Sequence, residues 1–99
     1  NIITDNYAGN GGGLRDCTGT INDNIIAGNQ AQTAGGGLHY CIGNISNNII
    51  TGNKSGNYGG GLNGCGVSIY NNTIVGNIAL QNGGALYECN GSVHNNIIA

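Results

Sequence analysis

Side chains that could do acid–base chemistry are few in this chain and lie far apart. Its 99 residues include four acids, two basic residues and two histidines, for a net charge of −2. A polysaccharide lyase or hydrolase needs clustered carboxylates, as an acid/base pair or as calcium ligands. Asp16 and Glu88 share one position of a repeat but lie three repeats apart. That is about 14 Å at ~4.8 Å per repeat, beyond the ~9.5 Å of an inverting pair. We predict a protein that is not an enzyme and has neither a cofactor nor a metal site.

The histidines and cysteines do not complete a catalytic set either. His39 and His94 fall at different positions of the repeat, with no acid at either position, so we predict surface histidines. The cysteines recur every 24 residues, which excludes the C-x-x-C spacing of zinc, redox and haem sites. Stacked at ~4.8 Å, their Cα atoms would suit a disulfide while their Cβ atoms would lie slightly too far apart. The spacing is compatible with disulfides between neighbours or with a stack of buried thiols; the pairs would be Cys17–Cys41 and Cys65–Cys89.

These residues belong to a repeat that covers the whole chain. Copies occupy residues 1–23, 24–47, 48–71 and 72–95, and residues 96–99 open a fifth. The unit reads N-I-I-x-x-N, a variable loop, G-G-x-L-x-x-C, a short link, then Ile or Val. Short β-branched runs bounded by Gly and Asn predict strands, and no apolar residues follow helical spacing. We predict one all-β domain, a parallel β-helix with about three short strands per copy. Parallel crossovers favour the right hand.

Equivalent residues of successive copies should stack as columns. Three apolar columns would point inward as a continuous core. A polar column, at the turn after the first strand, would hydrogen-bond from copy to copy as an asparagine ladder, and asparagine tolerates the left-handed backbone of a turn. An Ile column next to the core should point outward, either as edge packing or as a lateral contact with another chain. The inward columns are Ile3, Ile26, Ile50, Ile74 and Ile98; Leu14, Leu38, Leu62 and Leu86; and Ile21, Ile45, Ile69 and Val93. The ladder is Asn6, Asn29, Asn53 and Asn77, and the outward column is Ile2, Ile25, Ile49, Thr73 and Ile97.

One face varies between copies, at the two positions after the inward Leu. A patch of aromatic and polar groups on a flat sheet suits carbohydrate, although solvent-facing positions can also vary freely. These positions hold Arg15-Asp16, His39-Tyr40, Asn63-Gly64 and Tyr87-Glu88. Of four N-glycosylation sequons, only Asn44 and Asn90 look available.

Two motifs carry a resemblance to a known family. Ile74-Val75-Gly76-Asn77 and Gly83-Gly84-Ala85-Leu86 resemble the Phe-x-x-Asn and Gly-Gly-Ala-Ile motifs of polymorphic outer-membrane autotransporter repeats, which are right-handed parallel β-helix repeat proteins. The other copies place Ile before the ladder Asn and Gly-Gly-Gly-Leu after it. The resemblance implies a β-helix whose relatives include surface adhesins, structural fibres and, more distantly, pectate-lyase-like enzymes.

These observations predict a non-catalytic structural β-solenoid of a secreted or surface fibre or adhesin stalk, extracellular or at the cell surface. Neither end shows a capping helix, charged strand or proline, so we expect copies of the chain, or further repeats, to stack head to tail. The chain has no basic patch for nucleic acid and no apolar run of the ~18 residues that span a membrane. The alternatives are a glycan-binding module and an inactive polysaccharide-lyase-like domain.

Overall fold

A computed structural model describes residues 1–99 as an all-β chain without helix. Each copy of the repeat forms one turn of a solenoid, here called a rung, and each rung contains four short strands. Rung 1 holds β1 (Ile2–Thr4), β2 (Tyr7–Asn10), β3 (Leu14–Arg15) and β4 (Ile21–Asn22). Rung 2 holds β5 (Ile25–Ala27), β6 (Gln30–Ala34), β7 (Leu38–His39) and β8 (Asn44–Ser46). Rung 3 holds β9 (Ile49–Thr51), β10 (Lys54–Ser55), β11 (Leu62–Asn63) and β12 (Ser68–Tyr70). Rung 4 holds β13 (Thr73–Val75), β14 (Ile78–Ala79), β15 (Leu86–Tyr87) and β16 (Ser92–His94), and β17 (Ile97–Ile98) follows it.

Strands at the same position in successive rungs pair in parallel and form four sheets. Sheet 1 is β1-β5-β9-β13-β17, sheet 2 is β2-β6-β10-β14, sheet 3 is β3-β7-β11-β15 and sheet 4 is β4-β8-β12-β16. The register places equivalent residues opposite each other, as in Ile26 with Ile50, Leu38 with Leu62 and Ile45 with Ile69. The prediction of a parallel β-solenoid is confirmed.

Sheet 2 is the strand position that the sequence did not indicate, so a rung has four strands rather than the predicted three. It lies in the variable loop, and its more buried residues are small and change in type: Ala8, Ala31, Ser55 and Ala79. Small side chains give little apolar alternation, and alternation is what marks a half-buried strand. A register shift between Ala8 and Asn10, opposite β6, accommodates the one-residue difference between rungs 1 and 2.

The core runs along the solenoid between sheets 1, 3 and 4. The inward Ile and Leu side chains of rungs 2 and 3 are fully buried against one another. In the last turn of the structure the same columns open to solvent, where Val93 is 42% exposed and Ile98 is 46% exposed. The outward column contains exposed Ile2, Ile25, Ile49 and Ile97 and half-buried Thr73.

The predicted asparagine ladder is confirmed, at the corner between sheets 1 and 2. The Asn53 side chain shows its pattern: Oδ1 accepts from the backbone N–H of Asn29 at 2.9 Å and from Asn29 Nδ2 at 3.0 Å. Asn53 Nδ2 donates to Asn77 Oδ1 and to the carbonyl of Ile26, both at 2.9 Å. All four hydrogen-bonding positions of this buried amide are therefore satisfied.

A second ladder, which was not predicted, occupies the corner between sheets 4 and 1. It consists of Asn24, Asn48, Asn72 and Asn96, linked by the same Nδ2-to-Oδ1 hydrogen bonds at 3.1 Å. The amides of Asn48, Asn72 and Asn96 also donate to the inward residue of sheet 4 that lies 27 positions earlier, as Asn72 Nδ2 does to the Ile45 carbonyl at 2.8 Å, whereas Asn24 Nδ2 donates to the Asn22 carbonyl. The signal was present in the sequence, because an Asn opens every copy.

The left-handed backbone lies one residue before each ladder position, which corrects the prediction that the ladder asparagines themselves adopt it. Ahead of the first ladder the residues with positive φ are Asp5, Gly28, Gly52 and Gly76; ahead of the second they are Asp23, Asn47, Asn71 and Asn95. Because the chain turns there, the following asparagine is free to direct its amide into the corner.

The two glycines before each inward Leu are required for different reasons. Gly35 adopts φ +67°, a left-handed conformation that would strain a residue with a Cβ atom. Gly36 has ordinary φ, but a Cβ there would collide with the Gly60 carbonyl and with the backbone of Lys54 in the next rung. The motif therefore combines a turn with a close approach of two rungs.

Candidate functional site

The variable face, defined by the eight residues named for it above, lies on the outer side of sheet 3 and at the corner that follows it. The structure assembles the eight residues into two adjacent columns. In the first column Arg15, His39, Asn63 and Tyr87 are register partners. In the second column Asp16, Tyr40, Gly64 and Glu88 all have positive φ, because the backbone turns there toward the cysteines.

The centre of this face is more buried than the sequence suggested. His39 and Asn63 are only 7% and 5% exposed, so the prediction that His39 is a surface histidine is wrong. The Tyr40 ring covers this area: its centroid lies 4.2 Å from that of His39, and a Cβ at Gly64 would collide with it. Sequence reasoning treated Tyr40 as a solvent-facing side chain and missed its role as a cover.

The environment of His39 does not suit a catalytic base. Its Nδ1 atom is buried without a hydrogen-bond partner. Burial, and then the nearby Arg15 charge, lower the pKa of His39, while Asp16 opposes them weakly. No carboxylate bonds to the ring to orient it, and general base catalysis depends on such positioning. The buried ring is a packing element of the variable face.

An aromatic pair extends the face toward sheet 2. The rings of Tyr58 and Tyr87 stack with centroids 4.7 Å apart and planes 19° apart. Desolvation, followed by the Glu88 charge, raises the pKa of Tyr87. Tyr58 lies in the variable loop, where the repeat alignment gives no constant residue, so its role could not be read from the sequence.

The charges on the variable face lie at its two ends. Arg15 Nε donates to Asp16 Oδ2 at 3.1 Å, and both side chains are well exposed. An exposed pair of this kind contributes about 1 kcal/mol or less. Tyr40 and Gly64 separate Asp16 from Glu88 in their column, so the two carboxylates do not act as a pair.

The four cysteines form a column at the corner after the variable face. All four are free thiols; Cys41 and Cys65 are buried, while Cys17 and Cys89 are partly exposed. Each Sγ donates to the carbonyl two residues earlier, at 3.6 Å for Cys41 and 3.3 Å for Cys65. The neighbouring Cys65 thiol lowers the pKa of Cys41 to about 6, whereas the neighbouring Cys41 and Cys89 thiols, together with burial, raise the pKa of Cys65. Neighbouring thiols therefore influence each other's protonation.

Other surface features are simple. There is no pocket, no group of three or more His, Cys, Asp or Glu that could hold a metal ion, and no helix long and apolar enough to cross a membrane. The sequon residues Asn44 and Asn90 are exposed. Asn71 is exposed as well, so the expectation that only two sequons are available is wrong.

Comparison with known proteins adds no relative: no family model, no curated protein and no solved structure matches the chain. The assignment of the fold therefore rests on the strand pairing in the structure alone.

Proposed function

We propose that the chain is a non-catalytic structural β-solenoid of a secreted or surface fibre or adhesin stalk, and that it stacks end to end into a filament. The observation that supports this most directly is the continuity of the two asparagine ladders through the rungs. The side-chain amide of each ladder asparagine donates to Oδ1 of its counterpart in the following rung. Its own Oδ1 accepts from the counterpart in the preceding rung.

The ladders have a direction, which matters for stacking. In every step the backbone N–H and Nδ2 of one ladder asparagine donate to Oδ1 of the equivalent asparagine in the following rung. A further rung, from a continuation of the chain or from another copy, would meet this pattern only in one orientation. Contacts of this head-to-tail kind do not close on themselves and produce filaments.

The apolar columns support the same arrangement. Ile98, in an inward column, is 46% exposed in the last turn of the structure, and Ile3 is half-buried in the first. A rung stacked on each end would cover these two side chains. Removing their apolar surface from water would stabilise the stack by about 25 cal/mol per Å². The regular charge-poor surface leaves stacking unopposed by repulsion.

The kinship with polymorphic outer-membrane autotransporter repeats is part of this proposal. It is supported by the Gly-Gly-x-Leu motif, whose second glycine is required wherever rungs approach closely, as at Gly36. An extracellular or cell-surface location follows from the same kinship and from the fibre role.

Stacking can be tested with two neighbouring residues of the same type. Sedimentation velocity and electron microscopy of the chain should show concentration-dependent assemblies along one axis. Ile98→Asp places a charge in the inward column and should abolish the assemblies, while Ile97→Asp, on the outward side, should leave them intact. A folded monomer at every concentration would refute the proposal. Loss of assembly in the Ile97 variant alone would instead identify a lateral contact through the outward Ile column.

A second candidate function is glycan binding on the variable face. Its support is the exposed ring of Tyr40, 52% accessible, on the same face as the stacked Tyr58 and Tyr87. The burial of His39 and Asn63 removes two of the polar groups that would have contacted a sugar. A glycan array with the chain and a Tyr40→Ala variant tests this candidate, since signal lost only in the variant would support it. If the chain binds no glycan, the structural role remains.

A further inference from the structure

The cysteine column has a regular geometry that the structural role does not use. Each thiol donates to the backbone carbonyl two residues earlier: Cys17 to Arg15, Cys41 to His39, Cys65 to Asn63 and Cys89 to Tyr87. Because the same bond recurs in all four rungs, the four side chains share one orientation. Their sulfur atoms therefore repeat at the spacing of the rungs, which is ~4.8 Å in a parallel sheet.

As they are oriented, the sulfurs lie too far apart for a disulfide but at a suitable distance for another kind of bond. A disulfide would require the side chains to rotate until the sulfurs are about 2.05 Å apart, and the Cβ atoms to approach slightly more closely than the ~4.8 Å rung spacing. A metal ion midway between two sulfurs needs two metal–thiolate bonds of about 2.3 Å, or ~4.6 Å in line. The ion would sit on the line between the sulfurs, where no separate cavity is needed.

The ligand set decides the class of ion. Thiolate is a soft ligand that selects ions such as Cu(I). Zinc requires four ligands in a tetrahedron, and no group of three or more His, Cys, Asp or Glu is available here. A univalent d¹⁰ ion accepts two ligands in a line. We propose that neighbouring thiols of the cysteine column bind a soft univalent cation, of the Cu(I) or Ag(I) class, in linear two-coordinate geometry.

The site must also balance its protons and its charge. Both thiols lose their protons to solvent, because a cysteine binds a metal as thiolate. The cation cancels one of the two thiolate charges, so the unit carries one net negative charge. Each pair includes one partly exposed cysteine, Cys17 or Cys89, so this charge is not fully buried among the apolar columns. No electron is transferred, and the four thiols provide two such pairs.

Two double variants test whether the two thiols must be neighbours in the column. Cys65→Ser with Cys89→Ser leaves Cys17 and Cys41, which are neighbours in the column. Cys41→Ser with Cys89→Ser leaves Cys17 and Cys65, which lie two rungs apart. Each variant keeps two cysteines and removes one buried and one partly exposed thiol. The serine hydroxyl can still donate to the same backbone carbonyl, and circular dichroism checks that the fold is retained.

Silver ion is the probe, added to the reduced chain and then challenged with excess glutathione. We expect the wild-type chain to retain up to two ions and the neighbour variant one, with at least ~100-fold stronger retention than the separated variant, because the second bond is intramolecular. Retained metal is measured by mass spectrometry of the intact chain. Equal retention by the two variants would overturn the proposal.

Two further measurements on the wild-type chain do not depend on the variants folding. X-ray absorption at the silver edge should show two sulfur ligands in a line; three or four ligands would contradict the geometry. Zinc ion, under the same glutathione challenge, should be lost. Zinc retained as strongly as silver would show that the column binds metals in some other arrangement, and the proposal would fail.

Discussion

The asparagine ladders and the variable face place polar side chains in every rung, but they constrain those side chains in opposite ways. In the ladders each amide bonds to its own counterpart in the next rung, so the residue type cannot change. On the variable face the counterparts Arg15, His39, Asn63 and Tyr87 make no such bond, and four different residues occupy one column. The repeat is strict where a side chain must match its copy, and free where it need only cover the sheet.

The comparison also shows that burial alone does not fix the residue type at a position. Asn53 and Asn63 are both buried asparagines of rung 3, but only Asn53 has hydrogen bonds to asparagines above and below. Asn63 is equally buried on the outer side of sheet 3, next to Gly64, against which the Tyr40 ring packs, and it makes no such bonds. A buried position on the outer face can therefore vary, whereas an equally buried ladder position cannot.

The largest effect is expected directly beneath the variable face, at Leu62. This side chain is fully buried between Leu38 and Leu86. Leu62→Asp would bury an unpaired charge, so we expect a loss of more than about 4 kcal/mol in the free energy of unfolding, or no folded chain at all. Urea denaturation followed by circular dichroism measures this loss. A stable Asp variant would mean that the inward columns are assigned wrongly.

A large but smaller effect is expected in the first ladder. Asn53→Leu leaves the Asn29 N–H and Nδ2 and the Ile26 carbonyl without their partner. Each unsatisfied buried group costs ~1–3 kcal/mol, and we expect a total of about 3 to 5 kcal/mol. The same denaturation experiment gives the value.

Asn63→Leu is the matched control for the ladder variant, since it replaces a buried asparagine by the same residue on the variable face. We expect a change within about 1 kcal/mol, because no ladder bond is lost. If the two Leu variants lose the same stability, the distinction between ladder and face does not hold.

A small effect is expected at Tyr87, whose ring stacks on Tyr58 at the surface. Tyr87→Ser removes the stack, and an aromatic pair of this kind contributes ~0.5–1.5 kcal/mol. We expect a loss of no more than about 1.5 kcal/mol in the free energy of unfolding, measured by thermal or urea denaturation. A loss comparable with that of Leu62→Asp would place Tyr87 in the core.

The smallest effect is a pH dependence at His39. Burial, with Arg15, holds its pKa in the folded chain below the ordinary 6.5, so the unfolded chain binds more protons in the window between the two values. The contribution to stability is complete above pH 6.5 and declines as pH falls through the window. His39→Gln should reduce the decline seen by urea denaturation at pH 7.5 and 5. The exposed His94→Gln is the control, and identical profiles for both variants would contradict the assignment.

Much of the fold could be predicted from the sequence because the repeat reports on it many times. The inward Ile and Leu columns and the first ladder recur in every copy, so a pattern too short to trust in one copy becomes clear in four. Sheet 2 was missed since its small residues differ between copies. The second ladder was missed although its signal was constant, because a structural role was predicted only for the second Asn of the N-I-I-x-x-N motif.

The candidate site was less predictable than the fold. The sequence placed all eight residues of the variable face together, but it could not show that Tyr40 lies across Gly64 and covers His39. It also gave no reason to add Tyr58, whose partner Tyr87 lies 29 positions later in the chain. Contacts of this kind depend on where a side chain leans, which periodicity does not record.

The sequence by itself determined the parallel solenoid, the length of its rung and the columns that form its core, because strict spacing of 24 residues brings equivalent side chains into register in only one way. Only the tertiary structure decided the number of strands per rung, the residue that turns the backbone at each corner and the burial of His39 and Asn63. These features arise from contacts between neighbouring columns rather than within one column. A repeat fixes what stacks upon its own copy, while packing between different positions is settled when the chain closes around its core.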